Sequence, residues 1–134
     1  MLHWGRACRA LRAAGRLLPQ MPEDASSRAY YAAFHAISAV FALSGKTFAK
    51  HSAVETAVHR DLVQTGRLPV EIGKDYSALA RLRLTGDYTV VEEVTIEMAT
   101  EGASQALCIL RAVQQMYPDI FTDPESLLKD NTKE

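Results

Sequence analysis

Arg28, Tyr31 and His35 are the side chains of this sequence whose types and spacing best suit chemistry. Successive residues of a helix advance by about 100° around its axis. Intervals of three and four therefore place all three on one face. A guanidinium offers planar donors to a phosphate, and an imidazole titrates near neutrality and can move a proton. Arg28 and His35, two turns apart, would flank a phosphate-sized site. Two readings are open. In the functional one, Arg28 and His35 are the candidate catalytic pair and Tyr31 is a nucleotide or RNA contact. In the structural one, neighbouring Ala32, Ala39 and Ala42 let another helix approach closely, and the three polar groups are satisfied at that interface.

Further candidates lie elsewhere. His51 precedes a helix N-terminus, a place suited to anions, and could equally be a loop residue packed on the second helix. Arg6, Arg9, Arg12 and Arg16 stand in the first stretch without an acid among them. They could track an RNA backbone or form a solvated face. His3, His35, His51 and His59 include no pair at i, i+4, so neither a metal site nor a cofactor is expected. No glycine-rich phosphate loop and no nucleophile-elbow serine occurs. Cys8 and Cys108 are too few for a disulfide framework and fit packing roles in a reducing, cytoplasmic setting. Trp4 reads as a core or dimer anchor.

The elements that must hold these residues can be read from periodicity. The chain has 134 residues, 48% hydrophobic and 23% charged, with a net charge of −1. That composition excludes wholesale disorder, and no apolar run approaches the ~18 residues of a membrane span. Helices are expected over Leu2–Leu18, Glu23–Ser44, from near Ser52 to Gly66, from Pro69 to Gly86, and from Thr95 to Met116. Ser52 and Glu55 have the spacing of a capping box. Tyr30, Phe34, Ile37 and Phe41 form the core stripe of the second helix, opposite Arg28 and His35. Thr89 to Val94 is β-branched and permits a short extended piece. The expected architecture is all-α, an antiparallel bundle of about five helices over residues 1–117. A loosely held polar tail follows over 118–134, with only Leu127 and Leu128 as anchors. An alanine-rich face left uncovered on the second helix predicts a homodimer.

Ser27-Arg28-Ala29-Tyr30-Tyr31-Ala32-Ala33-Phe34-His35 resembles the S-R-x-Y-Y-A-x-F-H signature of a small prokaryotic branch of the HEPN family. Lys50-His51-Ser52-Ala53-Val54 is similar to that branch's T-H-S-x-V segment, and Gln64-Thr65-Gly66-Arg67-Leu68-Pro69 to its K-T-G-x-L-P connector. Leu82 to Tyr88 resembles its L-R-x-x-A-D-Y motif, with Gly86 in place of alanine. The resemblance implies a helical bundle that usually dimerises. It also implies frequent partnership with a minimal nucleotidyltransferase in toxin–antitoxin or related defence systems. It extends the candidate nucleotide or RNA contacts to Arg28, Tyr31, His35, His51, Arg83, Asp87 and Tyr88.

Many HEPN proteins are metal-independent RNases in which arginine and histidine of an R-x(4–6)-H motif meet at the dimer cleft. Others are non-catalytic and bind nucleotides or partner proteins. In the RNase members the motif lies on a later helix, where this chain has Arg81, Arg83, Asp87 and Tyr88 and no histidine. Asp87 also reads as a structural carboxylate paired with Arg83. The expectation is a nucleotide- or RNA-interacting, partner-binding domain in which a non-catalytic role is favoured. The alternatives are an RNase toxin using Arg28 and His35, or an orphan interaction protein.

Overall fold

The structure, a computed structural model, describes the backbone of residues 2–88 and 93–124 and the side chains of 2–84 and 93–124. Five α-helices account for most of it: α1 (Leu2–Leu17), α2 (Pro22–Leu43), α3 (His51–Ala57), α4 (Val70–Tyr88) and α5 (Ile96–Met116). A π-helical stretch, Val58–Val63, continues α3. No strand occurs among the described residues. The sequence reading of an all-α bundle holds. The candidate extended piece falls partly on 89–92, outside the described residues, and residues 93–95 form no regular element.

Helix α2 is the hub, because α1, α5, α4 and α3 all pack against it. Its composition explains how. Ala29, Ala32, Ala33, Ala36 and Ala39 are buried along one sector, and Tyr30, Ile37 and Phe41 fill the adjacent one. Small side chains let neighbouring helices come close, and α1 answers with its own buried Ala7, Ala10 and Ala14. The expectation of an uncovered alanine face is therefore corrected. Ala32 and Ala39 lie inside the fold, and only Ala42 of the three is exposed. Phe34 also departs from the core stripe: it is half-buried at the edge of the core, with its ring stacked on His51 at 4.3 Å.

The capping box at Ser52 and Glu55 does not form. The cap of α3 is Lys50, without a side-chain hydrogen bond. Glu55 is engaged across the bundle instead: its Oε2 accepts from the Ser77 hydroxyl at 2.8 Å. The Ser77 Oγ also lies 2.8 Å from His59 Nε2. Because the serine hydrogen goes to Glu55, His59 is the donor in that second bond. The chain Glu55–Ser77–His59 thus ties α3, α4 and the π-helix together. Gly73 of α4 makes this approach feasible. A Cβ there would meet Val63 Cγ2 at 2.9 Å and the His59 ring at 3.1 Å.

Helix α5 is capped as its sequence suggests, with the Thr95 side chain accepting from the Met98 amide at 3.1 Å. After α5 the chain does not leave the core at once. Phe121 is buried and stacks on Trp4 with ring centroids 4.8 Å apart. The Trp4 indole donates to the Thr122 carbonyl at 3.1 Å. Trp4 is therefore a core anchor that fastens the segment after α5 onto α1. Leu127 and Leu128 lie outside the described residues.

Candidate functional site

Between α1 and α2 the surface opens into a groove of about 520 Å³, lined by Arg6, Arg9, Ala10, Ala13, Arg28, Tyr31 and His35. The helical register of α2 delivers Arg28, Tyr31 and His35 to this opening, as their spacing indicates. Along the axis Arg28 and His35 stand about 10 Å apart, seven residues at the helical rise. They flank the groove at its two ends. The second wall comes from α1, where Ala10 and Ala13 keep the floor low and Arg6 and Arg9 supply charge. Gly5 lies against the Arg9 guanidinium, and a Cβ there would come within 3.3 Å of its Nη1. Among the described residues no carboxylate lines the groove.

His35 is half-buried, and its Nδ1 has no hydrogen-bond partner. Burial pushes its pKa down to about 4, with smaller electrostatic contributions from the neighbouring His3, Arg6, His51 and Arg9. The imidazole is therefore neutral at pH 7 and can accept a proton or a hydrogen bond. It does not hold the proton that a general acid would donate. The lowered value has a consequence for stability. Between the ordinary value of 6.5 and about 4 the unfolded chain binds the extra proton and the folded chain does not. The stability associated with neutral His35 should be complete above pH 6.5 and lost progressively as pH falls toward about 4. Urea unfolding measured across that window should show this slope, and His35→Asn should flatten it.

The other candidates assemble on the far side of Tyr31. The Tyr30 hydroxyl and His51 Nδ1 are hydrogen-bonded at 2.8 Å. The guanidinium of Arg83 lies over both the Tyr30 and Tyr31 rings, at 5.1 and 5.4 Å from their centroids, as a cation–π pair. The ring of His51 meets Tyr31 edge-on at 5.9 Å. Burial, then the charge of Arg83, lowers the His51 pKa. Tyr30, His51, Ser52, Glu55 and Arg83 line a smaller cavity of about 170 Å³. Tyr31 thus stands between the cationic groove and an aromatic cluster that includes His51 and Arg83. Asp87 and Tyr88 continue α4, but their side chains are outside the described residues.

Among the described residues no group of three His, Cys, Asp or Glu side chains is placed to hold a metal. No described helix is long and apolar enough to cross a membrane.

The model of the HEPN domain matches residues 2–116 of the chain, covering all five helices. The chain belongs to the HEPN family. A UPF0332 protein of Thermotoga maritima is 32% identical over 120 residues, spanning 88% of this chain and 91% of the relative. A second UPF0332 protein, from Gloeobacter violaceus, is 36% identical over 84 residues, 62% of this chain and 67% of that protein. Within the HEPN domain the structure brings Arg28, Tyr31 and His35 to one opening, and it sets His51 and Arg83 against Tyr31, a proximity that their separate sequence motifs did not indicate. The sequence reading did not assign Arg6 and Arg9 to the site. Their run on α1 without acids was the available signal, but a solvated face gives the same pattern, and only the packing of α1 on α2 separates the two.

Proposed function

We propose that this HEPN protein binds RNA or a nucleotide through the α1–α2 groove and acts as a partner-binding component rather than as an efficient nuclease. The observation that carries this reading is the convergence of Arg28 and His35 with Arg6 and Arg9 around an opening that no carboxylate lines among the described residues. Guanidinium groups in such a setting select phosphate by charge and by their forked donors. Tyr31 adds a ring face at the groove, which suits a base. His51 of α3 and Arg83 of α4 support that ring from behind, and Asp87 and Tyr88 follow Arg83 on α4.

Cleavage needs one group to accept the 2′-hydroxyl proton and another to protonate the leaving oxygen. Neutral His35 can serve the first need. The segment from Arg81 to Tyr88, where RNase members of the family carry their histidine, has none for the second. Binding and assembly are therefore placed above catalysis. The partner that fits is a minimal nucleotidyltransferase in a toxin–antitoxin or defence-type system of the cytoplasm. A homodimer is part of the proposal, supported by exposed Val70, Leu84 and Ile96 on α4 and α5. Sedimentation equilibrium should show a species of twice the 14.8 kDa chain mass.

The test is binding and cleavage of RNA by the purified protein in excess EDTA. Arg28→Ala and His35→Ala should each leave the fold intact and weaken binding by about tenfold, the loss of one charge-assisted contact. Metal-independent cleavage abolished by His35→Ala, with dimerisation kept, would make the protein an RNase instead.

A further inference from the structure

The groove has a charge pattern that discriminates between kinds of phosphate. Three guanidinium groups, Arg6, Arg9 and Arg28, line it, and among the described residues no acid lines it beside them. A phosphodiester inside an RNA strand carries a single charge. A terminal phosphate carries about −1.5 to −2 at neutral pH and offers three acceptor oxygens. Donors arriving from both walls can be satisfied together only by a group with acceptors on several sides. All of these arginines belong to one chain, so the cationic part of the groove does not depend on a second protomer.

We propose that Arg6 and Arg9 clamp a terminal phosphate, the monoester end of a nucleotide or of an RNA strand, with His35 as its hydrogen-bonding partner within a single protomer, while Arg28 draws the ligand from the other end of the groove. This rests on the preceding reading that the groove binds RNA or a nucleotide, and it names which phosphate is bound.

His35 is suited to this part. The ring lines the groove; its Nδ1 is buried without a partner, so the bond to a ligand in the groove falls to Nε2. The groups that face the ring are cationic or neutral: His3, Arg6 and Arg9 from α1 and His51 from α3, with Tyr31 on its own helix. Arg28 lies farther along the groove and Arg83 of α4 stands behind Tyr31. In the free protein this environment disfavours the imidazolium. A dianion in the groove reverses the sign of the local field and favours a proton on the ring. That proton comes from solvent, and no covalent bond is made or broken.

The experiment compares four probes by calorimetry near neutral pH: adenosine, adenosine 5′-monophosphate, and one short RNA bearing either a 5′-phosphate or a 5′-hydroxyl. The 5′-phosphorylated RNA should bind at least about tenfold more tightly than its 5′-hydroxyl form, with one ligand per chain. Arg6→Gln and Arg9→Gln should remove that preference while helical circular dichroism is unchanged. In an NMR titration, saturating adenosine 5′-monophosphate should raise the His35 midpoint by about one unit or more. The mononucleotide binding as well as the phosphorylated RNA would identify a free nucleotide as sufficient; binding of the phosphorylated RNA alone would identify an RNA end. Either result supports the clamp. Equal affinity for the two RNA forms would overturn the inference and leave RNA binding intact. Failure of every probe to bind would overturn the broader reading as well.

Discussion

Trp4→Ala should cost about 3–5 kcal/mol of folding stability, the range for deleting a buried large aromatic. Two losses add in this variant. The indole is only 2% exposed and sits face to face with Phe121, so its removal opens a cavity on one side of the α1–α2 packing and unseats the ring beyond α5. The hydrogen bond to the Thr122 carbonyl goes with it. The affected contact joins segments more than a hundred residues apart, so local structure cannot restore it. Urea denaturation followed by circular dichroism at 222 nm gives the measurement. A midpoint close to that of the parent protein would mean that the segment after α5 contributes little to the fold. Trp4→Phe should recover most of the stacking and none of the hydrogen bond, separating the two contributions.

Ile37→Ala should be comparably severe, about 3–5 kcal/mol, in the upper part of the range for aliphatic truncation. The spread in such values reflects how well the surroundings collapse into the space left behind. Ile37 is fully buried on the central helix, and the neighbouring positions Ala33 and Ala36 are also fully buried. Alanine side chains have no reach with which to fill a void, and the α2 backbone is held by helices on several sides. The cavity should persist. Phe34→Ala is a useful contrast, because Phe34 lies at the edge of the core against His51. Its loss should be smaller than that of Ile37→Ala when both are measured by the same urea titration.

Several features of this architecture could be read directly from the amino acids. The helices followed from their apolar periodicity, and the breaks from prolines and from Gly45 and Gly66, both of which adopt positive φ. The grouping of Arg28, Tyr31 and His35 followed from helical geometry alone. Other features depended on which helices meet. Ser52 and Glu55 have ideal capping-box spacing, yet Glu55 finds a better use in accepting from Ser77. A local motif competes with every partner that tertiary packing brings near, and spacing cannot display those partners. The π-helical continuation of α3 is similar: the close approach of His59 and Val63 to Gly73 involves two separate helices. The alanines of α2 gave an ambiguous signal because small residues serve a helix within the chain as readily as one from another chain. Arg6 and Arg9 remained indistinct for the same reason, since charge without an address describes both a solvated face and a binding wall.

The junction between Trp4 and Phe121 also supplies an optical reporter. Trp4 is the sole tryptophan of the chain, so its fluorescence comes from one place, where α1 meets the segment that follows α5. While the junction is closed, the indole is shielded and its emission should be blue-shifted and poorly quenched by iodide. Opening there would move the emission to the red and expose it to quencher, even with the other helices intact. A protein without engineered labels can thus report, in a single spectrum, whether this end of the bundle is shut.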